Sequence, residues 1–172
     1  MKRVPAATGV AVAAGVIAFA TSALAQAPAP TPSWPPGKAQ VFIWADTLTA
    51  PTSSYGYVPS VVGKQENFFP RTAGVLFRAY AVDLKTKHVL TDKSVTYFYV
   101  KIPGQPNLKL TYGTQGSGSK ASGLWTATWS IPPDYQLGVV PFRILIKTKA
   151  KRYGMFAQAP VEASQLTVIP KP

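Results

Sequence analysis

The chain of 172 residues has no cysteine, one histidine and only six acidic residues. Without cysteine there is no disulfide, and no thiolate is available to a copper or zinc site. Proton-transfer catalysis usually needs a histidine or paired carboxylates with shifted pKa values. These shortages argue against an enzyme or a small redox protein, and we expect no cofactor and no metal.

The few candidate groups that remain are better explained as structural. Asp83 and Asp92 flank one polar segment, and aspartate there is typical of a turn. His88 lies in the same segment and with Met155 would form at most an adventitious metal site. The glycine and serine loop 113–123 does not have the spacing of a phosphate-binding loop, and a strand rather than a helix is predicted after it.

Acidic residues are scarce, whereas basic residues are abundant, with 18 Lys and Arg and a formal charge of +12. A chain with this balance associates with anionic surfaces. The alternative is a solvated surface that only keeps the protein dispersed. Nucleic acid is not expected as the partner, because no recognition motif is present and the chain carries an export signal.

The export signal is read from the first residues. Lys2 and Arg3 precede an apolar run, and Ala23-Leu24-Ala25 fits a signal peptidase site. We therefore predict a signal peptide at 1–25, a proline- and alanine-rich tether at 26–38, a domain at 39–170, and a periplasmic or secreted location. Removal of residues 1–25 shortens the chain from 172 to 147 residues, and the loss of Lys2 and Arg3 lowers the formal charge from +12 to +10. We expect no transmembrane segment in the remaining chain.

The pattern of the domain is that of short strands. In 139–148, Val140, Phe142, Ile144 and Ile146 alternate with Pro141, Arg143, Leu145 and Lys147, which is typical of a strand with one buried face. Turn residues separate the segments. The pattern indicates an all-β antiparallel sandwich of about seven strands, namely 40–44, 74–82, 95–102, 108–112, 124–131, 139–148 and 165–169.

Three stretches carry a family resemblance. The first is Phe77 to Asp83, where a strand ends in aspartate and a turn, and the second is the strand 95–102. The third runs from Trp125 through Pro132-Pro133-Asp134 to Gly138 and the strand that ends near Ile146. In this order they resemble the bacterial immunoglobulin-like and fibronectin-like β-sandwich modules. The resemblance covers roughly residues 40–169 and implies a fold, with no inherited site.

In a sandwich of this kind, the strands 95–102 and 139–148 are expected to be neighbours in one sheet. Their outward positions would then merge into one basic and aromatic surface, completed by the residues that follow the second strand. The predicted binding residues are Tyr97, Tyr99, Lys101, Arg143, Lys147, Lys149, Lys151 and Arg152. We expect a non-catalytic accessory module whose basic face docks on an anionic protein or cell-envelope polymer.

Trp125 and Trp129 offer a different function. They lie on the same face of one predicted strand, and the favoured role is core packing, because large aromatic side chains dominate sandwich cores. If they faced outward they would form a flat stacking platform. The alternative function is therefore a carbohydrate-binding module that uses aromatic platforms.

Overall fold

The computed structural model describes residues 39–115, 122–158 and 166–171. The predicted signal peptide and tether lie outside the described residues. Every regular element within these ranges is a β-strand. The strands are β1 (Val41–Thr49), β2 (Phe68–Pro70), β3 (Gly74–Asp83), β4 (Val95–Lys101), β5 (Leu108–Lys109), β6 (Thr111–Gln115), β7 (Ser122–Ser130), β8 (Gly138–Val139), β9 (Arg143–Thr148), β10 (Tyr153–Ala157) and β11 (Thr167–Ile169).

The strands form two larger sheets and a small one. The first sheet has the order β1-β3-β7-β6, the second has the order β10-β9-β4-β5, and the third has the order β2-β11-β8. All pairs are antiparallel except β2 with β11, which is parallel. The protein is an all-β sandwich, which confirms the predicted fold class.

Aromatic side chains join the two larger sheets. Phe98 of β4 meets Trp125 of β7 with ring centroids 5.2 Å apart, and Phe77 of β3 meets Phe142, just before β9, at 5.0 Å. Both pairs are edge-to-face, the arrangement that the ring quadrupoles favour. The predicted inward set of the β9 region is confirmed, because Val140, Phe142, Ile144 and Ile146 are all buried.

The two sheets also approach each other along one side. The N–H of Gln40 donates to the carbonyl of Tyr153 at 3.0 Å, which brings the start of β1 beside β10. Gly154 makes this approach possible, since a Cβ there would lie 2.6 Å from the carbonyl oxygen of Val41. A side chain at this position would separate the two strands.

The prediction of about seven strands is wrong in its count. The predicted strand 108–112 is divided into β5 and β6, which belong to different sheets. The predicted strand 139–148 is divided in the same way into β8 and β9. Pro141 lies at this division and has no N–H to donate, and Phe142 N–H bonds back to the Val140 carbonyl at 2.8 Å. The chain therefore leaves one sheet and enters another within a single apolar run.

One position in the turn before β3 is conformationally unfavourable. Thr72 has a φ of 72° and is buried, and its hydroxyl has no hydrogen-bond partner among the described residues. A left-handed conformation costs an L-residue about 1–2 kcal/mol, and an unpaired buried polar group costs about 1–3 kcal/mol.

We expect Thr72→Gly to stabilise the fold by about 1 kcal/mol. Glycine removes both penalties, but its greater conformational freedom in the unfolded chain offsets about 0.4–1 kcal/mol of that gain. Thr72→Ala is the matched control, since it removes the hydroxyl but keeps the strained backbone. Urea unfolding of the three proteins checks the prediction. A glycine variant no more stable than the alanine variant would contradict it.

Candidate binding surface

The predicted neighbours β4 and β9 are paired. Their register places Tyr97 opposite Lys147, Tyr99 opposite Leu145, and Lys101 opposite Arg143. Residues directly opposite each other in an antiparallel pair project from the same face of the sheet. The directly opposed residues of the two strands therefore lie on one side of the sheet.

A β-bulge sets which side chains of β4 face outward. The register shifts between Val95 and Tyr97, so Thr96 is the extra residue in the strand. Val95 is buried, whereas Tyr97, two positions later, is on the outer side. In a regular strand both would share a face, because side chains alternate with a period of two. The bulge therefore allows β4 to begin in the core and still present Tyr97 and Tyr99 outward.

The flanking strands extend the surface. Lys109 of β5 lies opposite Tyr99, while Tyr153 and Met155 of β10 lie opposite Lys147 and Leu145. We call the outward set the tyrosine-lysine face. It consists of Tyr97, Tyr99, Lys101, Lys109, Arg143, Lys147, Tyr153 and Met155.

Lys109, Tyr153 and Met155 were missed by the sequence prediction. Lys109 lies in the predicted strand 108–112, but its pairing with β4 is non-local. Tyr153 and Met155 alternate with Gly154 and Phe156, a period-two signal that was available but short.

Two tyrosines of the face contact each other, and a third contacts a lysine. The rings of Tyr97 and Tyr99 have centroids 5.2 Å apart with an angle of 33° between their planes. The ammonium of Lys147 lies 5.4 Å from the ring centre of Tyr153, within the range of a cation–π interaction. Burial raises the pKa of the Tyr97 phenol, and Tyr99 raises it further, while the Lys147 charge acts in the opposite direction. The net direction is upward, so Tyr97 is neutral at physiological pH.

Leu145 departs from its predicted exposure. It was placed on the outward side, and it does lie there by parity, but it is only 8% exposed. β9 is a central strand, and the cross-strand neighbours of Leu145 are Tyr99 on one side and Met155 on the other. Such directly opposed side chains lie close enough to cover a smaller one between them. Leu145 therefore packs between its neighbours on the face and contributes almost no accessible surface.

Lys149 was predicted to share the outward parity of Arg143 and Lys147, and Lys151 to extend the same surface, but neither lysine lies on the strand. β9 ends at Thr148, and both lysines are exposed in the turn before β10. The Lys151 N–H donates to the Thr148 carbonyl at 3.0 Å, and Lys151 has a φ of 57°. A turn has no period-two parity, so the strand argument does not extend to these residues. They lie beyond the end of the tyrosine-lysine face.

Arg152 was also predicted to belong to the basic surface, and this is wrong. Its guanidinium forms an ion pair with the carboxylate of Asp83 at the end of β3. The side chains are 19% and 6% exposed, respectively. Asp83 Oδ1 also accepts the N–H groups of Lys85 at 2.9 Å and Thr86 at 3.1 Å. Arg152 is therefore a structural residue that links β3 to β10.

Trp125 and Trp129 are core residues, as the favoured interpretation held. Both side chains are buried. The indole N–H of Trp125 donates to the Leu90 carbonyl at 2.9 Å, and the ring of Trp129 meets that of Tyr135 with centroids 5.0 Å apart. Neither ring is accessible to a sugar.

A different aromatic surface lies on the outer side of the first sheet. Phe42 and Trp44 of β1 are 52% and 44% exposed, and Tyr80 of β3 lies opposite Trp44. The Arg78 guanidinium lies 5.7 Å from the centre of a Trp44 ring and pairs with Asp46, with a distance of 3.0 Å from Nε to Oδ1. The sequence prediction missed this surface, although Phe42 and Trp44 alternate with Val41 and Ile43.

Within the described residues, no group of three or more His, Cys, Asp or Glu could hold a metal ion. A cavity of about 380 Å³ lies between 103–105 and 132–136, and its lining residues include one carboxylate, that of Asp134. Burial raises the pKa of Tyr135 in the same lining, and its hydroxyl already donates to the Pro103 carbonyl at 3.0 Å.

Comparison of the chain with protein-family models, curated proteins and solved structures gives no match. None of the described segments is a helix with the length and apolar character needed to cross a membrane.

Proposed function

We propose that the protein is a non-catalytic exported interaction module, which docks on an anionic partner of the cell envelope through the tyrosine-lysine face. The observation that supports this most is the clustering of Lys101, Lys109, Arg143 and Lys147 on one side of one sheet. Strands β4, β5, β9 and β10 contain no aspartate or glutamate. These four strands therefore supply no carboxylate beside Lys101, Lys109 and Lys147.

The location of the charge favours docking over general solubility. A basic surface that serves only to keep a protein dispersed mixes its charges and avoids apolar patches. Here the lysines lie beside tyrosine rings and a methionine on one side of the sheet. Complementary charge of this kind accelerates association and selects among partners.

The immunoglobulin-like assignment, the periplasmic or secreted location and the absence of catalysis belong to the same proposal. A sandwich that presents a charged sheet face, with one carboxylate in the lining of the cavity between 103–105 and 132–136, suits binding better than chemistry.

The test compares two double variants that change the net charge equally. Lys101→Glu with Lys147→Glu alters the face, whereas Lys85→Glu with Lys171→Glu alters a turn after β3 and the segment after β11. Exposed charge pairs contribute about 0.2–1 kcal/mol each, so reversing two should weaken binding to immobilised poly-L-glutamate by about tenfold. The control pair should change it by less than about twofold.

Binding should also weaken as salt rises, because the screening length is about 8 Å at physiological ionic strength. Equal losses in the two double variants would mean that only net charge matters, and the proposal would then fail. Thermal unfolding of both variants establishes that the fold is intact.

The alternative of a carbohydrate-binding module depends on a different surface from the one first considered. Trp125 and Trp129 are buried, but Phe42, Trp44 and Tyr80 place aromatic rings on the outer side of the first sheet beside the balanced Asp46–Arg78 pair. Retardation in gels that contain a neutral polysaccharide tests it. A retardation that Trp44→Ala abolishes, and that Lys101→Glu with Lys147→Glu leaves unchanged, would favour this alternative.

A further inference from the structure

The tyrosine-lysine face is ordered into a centre and a margin. Its middle row across the sheet is Lys109, Tyr99, Leu145 and Met155, and the next row toward the turn is Tyr97, Lys147 and Tyr153. The exposed lysines lie at the margin, Lys101 at the end of β4 and Lys109 on the edge strand β5. Tyr97 and Tyr99 lie on the inner strand β4, whereas Tyr153 and Met155 lie on the opposite edge strand β10. All four side chains are partly buried before any partner binds.

The residue types of this face are those that protein–protein interfaces use. Their centres are enriched in tyrosine, methionine and arginine and depleted of free charge, while their margins are polar and wet. Lys147 fits this composition, because its ammonium lies over the Tyr153 ring and is therefore partly neutralised by a neighbour on the face. The binding energy of such interfaces is concentrated in a few aromatic anchors, and surrounding contacts exclude water from them.

An anionic polymer would use less of this surface. A polyuronate or a lipid headgroup layer is attracted by lysines and arginines along its path, and a tyrosine ring can contact either of them. The apolar thioether of Met155 beside these rings matches an apolar side chain of a protein partner better than it matches a sugar or a headgroup. Tyr97 and Tyr99 are held against each other, and a tyrosine loses little conformational freedom on binding because it has only two rotatable side-chain bonds. These rings therefore act as preformed anchors.

We propose, resting on the function proposed above, that the partner is a protein with an acidic surface. It places an aromatic or aliphatic side chain on Tyr97, Tyr99 and Met155, and carboxylates against Lys101 and Lys109. The strand geometry sets the distance between the two lysines and the tyrosine rings. Lys101 is two residues from Tyr99 along β4, about 6.6–6.8 Å, and Lys109 lies opposite Tyr99 one strand away. The partner's acidic groups thus lie within one side-chain length of its apolar anchor.

The test uses three anionic probes with the same reacting group, a carboxylate. These are polygalacturonate, poly-L-glutamate, and a random copolymer of glutamate and tyrosine, each matched for charge. Affinities are measured at physiological ionic strength for the protein, for Tyr97→Ser with Tyr99→Ser, for Met155→Gln, and for Tyr55→Ser as a control on an exposed loop.

We expect the copolymer to bind about tenfold or more tightly than polygalacturonate, because aromatic anchors add to the charge contacts. The double tyrosine variant should lose most of that preference while its weak binding to polygalacturonate stays the same. Met155→Gln should lose part of it, and Tyr55→Ser none. Met155→Gln keeps the test decisive if the double variant does not fold.

Equal affinities for the three probes, unchanged in the tyrosine and methionine variants, would overturn the inference in favour of an anionic polymer and leave the proposed function standing. Failure of all three probes to bind would overturn both.

Discussion

Phe142→Ala is expected to lower the free energy of unfolding by about 3–5 kcal/mol, the usual range for truncating a core phenylalanine. Phe142 is buried between the sheets, with an edge-to-face contact to Phe77 at 5.0 Å and a stacked contact to Phe156 at 6.1 Å. Alanine removes both ring contacts and leaves a cavity that the rigid sheets cannot close.

The measurement is urea unfolding, with two comparisons. Phe142→Leu keeps most of the volume and should cost less than about 1.5–2 kcal/mol. Phe42→Ala removes the same group from an exposed position and should change stability by no more than about 0.5 kcal/mol. Similar losses for Phe142→Ala and Phe42→Ala would contradict the packing of the two sheets described above.

Asp83→Asn is expected to cost about 3 kcal/mol at neutral pH, because it leaves the guanidinium of Arg152 largely buried and without its opposite charge. Asparagine has nearly the same shape, and its side-chain oxygen can still accept the N–H groups of Lys85 and Thr86. The substitution therefore isolates the charge from the turn that the same side chain organises.

The effect should depend on pH with a definite sign. Burial acts to raise the pKa of Asp83, but the hydrogen bonds from Thr86, Arg152 and Lys85 outweigh it, and the pKa is lowered overall. Stability from a lowered carboxyl pKa is fully present above the unfolded value, about 3.9, and is lost as the pH falls through the folded value. The difference between the protein and Asp83→Asn should therefore be constant near neutrality and shrink below about pH 4.

Unfolding free energies between pH 3 and pH 7 give this difference directly. Asp92→Asn is a matched control, because Asp92 is exposed and its side chain accepts only the N–H of its neighbour Lys93 among the described contacts. It should change stability by no more than about 0.5 kcal/mol. A pH-independent cost for Asp83→Asn would show that the ion pair with Arg152 does not carry the effect.

The candidate surface could be predicted in part, and the reason is the local period of a strand. Side chains in a strand alternate between two faces, so the separation of Phe142 and Ile144 from Arg143 and Lys147 follows from their positions alone. The same argument identified Tyr97, Tyr99 and Lys101 as one outward set. The pairing of β4 with β9 was expected from the resemblance to immunoglobulin-like sandwiches, in which the corresponding strands are neighbours.

The amino-acid sequence by itself determined the all-β class, the inward set of the β9 region and the shared parity of the tyrosines and lysines, because each follows from local alternation and turn residues. Tertiary structure alone decided the rest. Arg152 pairs with Asp83, 69 residues away in the chain, and Lys109 and Met155 join the face through pairing with other strands. Leu145 is covered because its strand is central in the sheet. Pairing between segments that are distant in the sequence decides which side chains share a face, which are covered and which charges are neutralised. No local pattern in the sequence carries that information.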